Sequence, residues 1–282
     1  MTATSIVIPA HNEERVIGRL LSALLQDAAP GELDVVVVAN GCRDETASVA
    51  AGFAGVRVVE TPVASKARAL RLGDETATSF PRLYVDADVV VRTQDVRALG
   101  TAVGVPGVLA AGPARELPMD GVGWPVRWYY DVWLRLPGVQ DELFGRGVIA
   151  VSNAGHQRLE RLPEVLSDDL AMAMAFEAPE RVVVEAARSV IRPPRTYADL
   201  LRRRVRAMAG NRQFAELATG KSIAGRQPPR TGFGDLGRIA RSSPRFVPKV
   251  ALFAVTAVLS RLRARSPQMR TAWLRDESSR AA

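Results

Sequence analysis

Asp86-Ala87-Asp88 follows a short apolar run, Arg82 to Val85. Two carboxylates one residue apart at a strand end reach a common point if the backbone turns there, and their oxygens then suit a hard divalent cation, Mn2+ or Mg2+. Such an ion bridges the two phosphates of a nucleotide and neutralises charge as a diphosphate departs. Without a cation the two carboxylates repel each other; taken alone, the triplet also fits a solvated turn. A second acidic pair, Ser167-Asp168-Asp169, opens the apolar stretch Leu170 to Phe176. A carboxylate beside another acid and an apolar helix holds its proton more tightly, as a general base requires. Helix capping uses the same residue types at the same place. Arg203 and Arg206, three apart on a basic stretch, share one helical face, where a guanidinium can meet a departing diphosphate or face solvent. His11 and His156 are the only histidines, and neither has a partner at zinc-ligand spacing.

The elements that must position these groups alternate. Ser5 to Pro9 reads as a strand, His11 to Glu14 as a loop, and Leu20, Leu21, Leu24 and Leu25 as the apolar face of a helix. Asp34 to Ala39 is valine-rich without alternation, the pattern of a parallel strand covered on both faces. A helix over 45–51, a strand over 56–60, a helix over 65–72 and a strand over 82–85 follow. Strands alternating with helices across short loops imply a parallel sheet with right-handed crossovers, and ligands in such sheets sit beyond the carboxyl ends of the strands. The polar clusters fall there: His11 to Glu13, Asn40 to Asp44, and Asp86 with Asp88. The pattern from 98 to 144 is less regular and holds Trp124, Trp128, Tyr129, Tyr130 and Trp133 within ten residues. Strands are expected at 148–152 and 181–185, and a basic helix at 197–217. Gly, Pro, Ser and Arg dominate 219–248, which reads as a mobile loop or lid.

The chain has 282 residues and a formal net charge of +8. That total hides an acidic part, with 16 Lys and Arg against 24 Asp and Glu over residues 1–180, and a basic part, with 20 against 4 over 181–270. Basic surface serves nucleic acid, anionic membrane or phosphorylated substrate alike. The arginines lack interleaved aromatics and no reader motif is present, so nucleic acid is not expected as a partner. Cys42 is the only cysteine, which excludes an intrachain disulfide and fits a reducing compartment. Met1 to Ser5 lacks the pattern of a signal peptide, and no run reaches the length that spans a bilayer. Val250 to Leu259, preceded by Lys249 and followed by Arg261, Arg263 and Arg265, fits either a buried helix or an interfacial helix on anionic lipid.

Several of these segments occur together in one family. Ser5-Ile6-Val7-Ile8-Pro9-Ala10-His11-Asn12-Glu13-Glu14 resembles the opening strand and loop of family 2 glycosyltransferases. Val37-Val38-Ala39-Asn40-Gly41-Cys42-Arg43-Asp44-Glu45-Thr46 resembles that family's second-strand loop, and Lys66-Ala67-Arg68-Ala69-Leu70-Arg71-Leu72-Gly73 is similar to its Lys-x-x-Ala-Leu-Asn-x-Gly helix. With the Asp-x-Asp these make four ordered matches. The resemblance implies a GT-A fold: a Rossmann-like α/β domain with a mostly parallel sheet and helices on both faces, here over 1–215. A basic loop or lid over 216–248 and a C-terminal helical segment over 249–282 complete the expected organisation.

The roles it implies are those of an inverting, metal-dependent and non-processive transferase acting on a nucleoside diphosphate sugar. Pro9, Ala10, His11 and Glu13 line the base and ribose pocket, Asp44 meets the base edge, and Lys66 lies near the nucleotide. Asn40 stands where the family often has Asp, which leaves the base open. Asp88 takes the metal and Asp86 chiefly the ribose, contributing to the metal shell. The Ser167-Asp168-Asp169 segment resembles the family's paired-acid motif, which makes Asp169 the base and Asp168 its support or an acceptor contact. Leu201 to Asn211 resembles the Gln-x-x-Arg-Trp segment, with Arg203 at the Gln, Arg206 at the Arg and Ala207 at the Trp. Gly145-Arg146-Gly147 is similar to a glycine-rich stretch near the donor sugar. Trp128 and its aromatic neighbours form an acceptor platform or a core. The acceptor is a glycan, a lipid-linked sugar or a small molecule, and the expected location is cytoplasmic, at the inner face of a membrane. A sugar nucleotidyltransferase would carry a glycine-rich, basic phosphate loop where His11-Asn12-Glu13-Glu14 stands; a nucleotide-sugar-binding protein without catalysis would not need Asp169.

Overall fold

The computed structural model describes residues 3–162, 168–218 and 231–264. In chain order its elements are β1 (Thr4–Ala10), α1 (Ile17–Leu25), β2 (Leu33–Asn40), α2 (Thr46–Ala51), β3 (Val56–Thr61), α3 (Lys66–Thr76), β4 (Arg82–Val85) and β5 (Val89–Val90). Then come α4 (Thr93–Val103), β6 (Ala110–Glu116), α5 (Trp124–Trp133), α6 (Pro137–Gln140), β7 (Val148–Val151) and α7 (Asn153–Leu159). The remainder is α8 (Asp168–Met174), β8 (Arg181–Ile191), α9 (Tyr197–Ala218), α10 (Phe233–Ser242) and α11 (Phe246–Arg263).

Two compact units interleave along the chain: Met1–Leu117 with Gly145–Glu164 and Ala175–Ile191, and Pro118–Phe144 with Val165–Met174 and Arg192–Ala282. The expected boundaries at 215 and 248 do not follow these segments, because packing groups 118–144 with helices more than fifty residues later.

The first unit holds one eight-stranded sheet in the order β3-β2-β1-β4-β7-β6-β8-β5. β3, β2, β1 and β4 run parallel, and β7 and β5 run against their neighbours. This is the mostly parallel α/β sheet that the alternating pattern predicts. β1 is central, with Val7 opposite Val36 on one side and Tyr84 on the other. Ile6, Ile8, Val35 and Val37 point into one core with Leu20, Leu21 and Leu24 of α1 and Val96 and Leu99 of α4. The opposite face of β1 carries Val7, which packs on α3 so closely that a Cβ on Gly73 would lie 2.2 Å from Val7 Cγ1. Both faces of the strand are therefore covered, which is why its sequence and that of β2 run apolar without alternation.

β8 extends to Ile191, six residues past the expected strand. A bulge between Pro113 and Ala114 shifts the register so that Val184 and Arg188 face consecutive residues of β6. Glu185 and Arg188, exposed at that irregularity, break the apolar pattern that marks a strand in sequence. α4 was not foreseen either. Its N-terminus is held by Asp95, 3% exposed, whose carboxylate accepts from the N–H of Arg92 at 2.9 Å and of Arg188 at 2.8 Å.

A polar cluster ties α3 to β4. His156 Nδ1 lies 2.9 Å from the Tyr84 hydroxyl, which donates to Asp74 Oδ1 at 2.9 Å. With the hydroxyl proton so committed, the imidazole Nδ1–H is the donor to Tyr84 and Nε2 faces the Arg82 guanidinium at 3.4 Å. Arg82 also donates to Asp74 Oδ1 at 2.9 Å.

In the second unit α11 packs against α5, α9 and α10. Phe253 stacks on Tyr129 with ring centroids 4.9 Å apart, and the Tyr197 hydroxyl lies 3.0 Å from Thr256 Oγ1. α10 lies inside the stretch expected to be a loop or lid. The Asp235 carboxylate accepts from the Gly232 N–H at 3.2 Å, Ile239 is buried, and no proline interrupts 233–242, so a helix forms despite the composition. Residues 219–230 and 265–282 lie outside the described residues.

Two outcomes check this packing. Gly73→Ala forces Val7 or α3 to move and is expected to cost about 1–3 kcal/mol of stability by denaturant titration; an unchanged midpoint would mean α3 does not seat on β1 as found. Burial holds the Asp74 carboxyl above its ordinary range, against the hydrogen bond from Tyr84 and the charge of Arg82. Folding therefore favours its protonated form, so that contribution is full below the unfolded value and fades as pH rises through the folded one. Relative to Asp74→Asn, the wild type is expected to lose stability as pH rises through and above the ordinary carboxylate range in urea titrations, and a pH-independent difference would contradict the burial.

Candidate active site at the strand ends

Two loops at the carboxyl ends of β1 and β2 are stitched together by side chains. Asn12 sits at φ 50, a left-handed conformation that Asn tolerates better than most residues, and its Oδ1 accepts from the Arg43 N–H at 2.7 Å. Asp44 accepts from Thr46 N–H at 3.2 Å, from its hydroxyl at 2.6 Å and from Glu14 N–H at 3.2 Å. The Thr46 oxygen in turn accepts from the N–H of buried Glu13 at 2.7 Å. Asp44, expected at the base edge, organises both loops, which motif spacing alone does not reveal.

Asn40 is 2% exposed, and its amide donates to the Ala10 carbonyl at 2.7 Å. Its Oδ1 is buried with no hydrogen-bond partner among the described residues. The Asn40 carbonyl takes the His11 Nδ1–H, leaving Nε2 to accept from Asn12 Nδ2 at 3.5 Å. An aspartate could not donate to Ala10. The departure from the family pattern therefore has a structural cause: amide chemistry closes the end of β2 onto the end of β1.

Asp86 and Asp88 follow β4 in a turn closed by the Val89 N–H on the Asp86 carbonyl at 3.4 Å. Ala87 between them is buried while both acids are half-exposed, so the core takes the middle residue and leaves the carboxylates outside. The Asp86 N–H donates to the Gly147 carbonyl at 2.8 Å. Gly147 has φ 66, and a Cβ there would lie 2.3 Å from Val89 Cγ1. Only glycine fits, which gives the Gly145-Arg146-Gly147 stretch a role as the backbone support of Asp86.

Lys66 begins α3, whose Ser65 cap accepts from Arg68 N–H at 3.2 Å. Its Nζ lies 2.6 Å from Asp86 Oδ1. A half-exposed pair of this kind contributes about 1 kcal/mol or less to stability. Its significance is positional: it puts an ammonium at the Asp-x-Asp, which the sequence placed only near the nucleotide.

Pro9 and Ala10 end β1, and His11, Glu13, Asn40, Asp44, Lys66, Asp86 and Asp88 all fall at the carboxyl ends of β1, β2 and β4 or at the start of α3 within the first unit. Among the described residues no third His, Cys, Asp or Glu joins a metal-holding group. Two half-exposed carboxylates fit a hard cation that keeps water and phosphate oxygens as its other ligands, and do not fit an all-protein cage. Lys66 engages one Asp86 oxygen.

The remaining candidates belong to the second unit. Asp168 and Asp169 open α8, and their side chains lie outside the described residues. On α9, Arg203 is half-buried and Arg206 exposed. Arg204 lies 5.9 Å from the Tyr129 ring, whose phenol burial pushes up to about 12. The aromatic cluster divides: Tyr129 and Tyr130 are buried, while Trp124 is 61% exposed with its ring edge-on to half-buried Trp128 at 4.8 Å.

Asn40→Asp puts a carboxylate against the Ala10 carbonyl without its donated hydrogen bond. The expected cost is about 1–3 kcal/mol, growing with pH because burial disfavours the charged form, and is read from denaturant midpoints at acid and neutral pH. A neutral substitution would remove Asn40 from the loop closure.

The profile of glycosyl transferase family 2 matches residues 5–144. A 4,4'-diaponeurosporenoate glycosyltransferase of Staphylococcus aureus is 38% identical over 99 residues, 33% of this chain, and the chain spans 26% of that relative's length. Two solved structures share the fold. A mannosyltransferase from Pyrobaculum calidifontis, in complex with GDP-Man and Mn2+, superposes with a TM-score of 0.63 at 19% identity, covering 95% of this chain and 77% of its own. Glucosyl-3-phosphoglycerate synthase from Mycobacterium tuberculosis, in complex with Mn2+, UDP and glucosyl-3-phosphoglycerate, gives 0.54 at 20% identity and covers 82% of each chain. With its sheet order and strand-end acids in agreement, residues 5–144 belong to glycosyl transferase family 2 and the chain has the GT-A fold.

Proposed function

We propose that the chain transfers a sugar from a nucleoside diphosphate sugar to an acceptor hydroxyl, with inversion and with a divalent cation, Mn2+ or Mg2+. The observation that carries this reading is the Lys66–Asp86 pair beside Asp88, at the strand ends where α/β sheets take nucleotides. Asp88 would hold such a cation, which would supply charge neutralisation for the leaving diphosphate. Asp86 orients the ribose, and Lys66 keeps Asp86 in place while adding positive charge beside the phosphates. The loops of His11 to Glu13 and Asn40 to Asp44 enclose the base and ribose.

Asp169 removes the proton of the attacking hydroxyl, Asp168 supports it or touches the acceptor, and Arg206, with Arg203 on the same helical face, meets the diphosphate. Trp128 offers a ring to a sugar acceptor. Arg203 and Ala207 stand where processive members have Gln and Trp, which favours one transfer per encounter. The two structural neighbours were solved with GDP-Man in one and UDP in the other, so the donor base stays open in this reading. A cytoplasmic place at the inner face of a membrane belongs to the same proposal. No described helix is long and apolar enough to cross a membrane.

Nucleotide sugars screened with Mn2+ are expected to raise the unfolding temperature, a donor at a hundredfold its Kd adding about 2.7 kcal/mol. Asp88→Asn is expected to abolish the metal-dependent part of the rise. Asp169→Asn should keep it while transfer falls by about 10^3-fold or more. Binding without transfer or donor hydrolysis in the wild type would leave a sugar-nucleotide binder, and loss of both binding and transfer in Asp169→Asn would move the base elsewhere.

A further inference from the structure

The outward face of α11 is apolar. Val247, Val255, Val258 and Leu262 are 52–55% exposed, and Ala251 is exposed between them. At 3.6 residues per turn these five fall within an arc of about 80°. Phe246, Phe253, Thr256 and Ser260, the buried residues of the helix, lie on the opposite side. The helix is thus anchored by one face to α5, α9 and α10 and presents a second apolar stripe outward. Isolated exposed valines are ordinary on a protein surface, but a contiguous stripe along nearly the whole of a helix is not.

Charge identifies what covers it. On the same helical projection Arg261 lies about 40° from one edge of the stripe, while Arg245 and Arg263 lie about 80° beyond the other, toward the buried face; all three are exposed. No Asp or Glu occurs between Asp235 and Asp276, a stretch that also holds Arg238 and Arg241 on α10. A second copy of this chain docked stripe to stripe would bring like-charged arginines together, with no Asp or Glu on α11 to offset them. An anionic bilayer satisfies both features, since acyl chains accept the valines and lipid phosphates accept the guanidinium groups.

We infer that α11 lies flat on an anionic lipid surface, with the Val247, Ala251, Val255, Val258 and Leu262 stripe inserted below the headgroups and Arg245, Arg261 and Arg263 on the phosphates. This deepens the membrane part of the reading above and does not depend on glycosyl transfer. The helix runs parallel to the surface: its buried face is occupied by protein along its length, and it is too polar at both ends to cross.

The full chain is tested by sedimentation with vesicles of phosphatidylcholine alone and with vesicles in which about a third of the lipid is phosphatidylglycerol. Binding is expected to the anionic vesicles and to weaken with added salt. The double variant Val255→Asp/Val258→Asp is expected to keep the wild-type unfolding temperature and lose about tenfold or more in vesicle affinity. Arg261→Gln/Arg263→Gln, which leaves the stripe intact, is expected to bind more weakly and with a shallower salt dependence. The inference is overturned by absence of binding to anionic vesicles, or by undiminished binding of the aspartate variant. It is overturned equally by a lowered unfolding temperature of that variant in lipid-free buffer, which would mean that the stripe packs on the chain itself. A concentration-dependent dimer that the variant dissolves would overturn it in favour of a second copy. Donor-dependent thermal stabilisation in lipid-free buffer reads the nucleotide site separately, so failure of one result leaves the other standing.

Discussion

Carboxylates gathered at the end of a strand repel one another, and the structure answers that repulsion with Lys66, 2.6 Å from Asp86. The pair brings together the start of α3 and the end of β4. Each is held by contacts well away from it. α3 is seated on β1 through the close approach of Gly73 to Val7, and its last turn is tied to β4 by Asp74, Tyr84, Arg82 and His156. The end of β4 is held by the Gly147 carbonyl, which reaches the Asp86 N–H only because Gly147 has no side chain to strike Val89. Core packing therefore sets the geometry of a charged site that would contribute little to stability by itself.

The first two loops follow the same logic with neutral groups. Asn12, Asp44 and Thr46 satisfy backbone donors that neither loop could satisfy alone, so the loops hold one shape between them. Asn40 joins the set through its amide. Loops held in one shape by internal hydrogen bonds need not be ordered when a ligand arrives, which is the general advantage of preorganisation.

Charge separates along the chain in the same way as role. The acidic residues 1–180 include the strand-end carboxylates, and the basic residues 181–270 include α9, α10 and α11. On α11 that basic character accompanies an exposed apolar stripe. Phe253 on Tyr129 and Tyr197 on Thr256 use the helix's other face to anchor it, so the stripe is left over after folding rather than consumed by it.

Sequence by itself determined the alternation of strands and helices over the first 88 residues, the covered sheet, and the strand-end location of Asp86, Asp88, His11 and Asp44. These are local facts: apolar runs, turn residues and their spacing are written in consecutive positions. It also determined that 250–259 would be apolar between cations, while leaving open whether that face is inside or out. Only tertiary structure decided that Lys66 meets Asp86, that the Asn40 amide serves Ala10, that Gly147 supports Asp86 across sixty residues of chain, and that 118–144 packs with α9 and α11. The same is true of α4 and the full length of β8, which Asp95 joins by accepting from the Arg188 N–H. Each of these contacts joins residues far apart in the chain, and no periodicity within either segment carries information about the other. Which face of α11 remained exposed was settled in the same way, by what happened to pack against the opposite one.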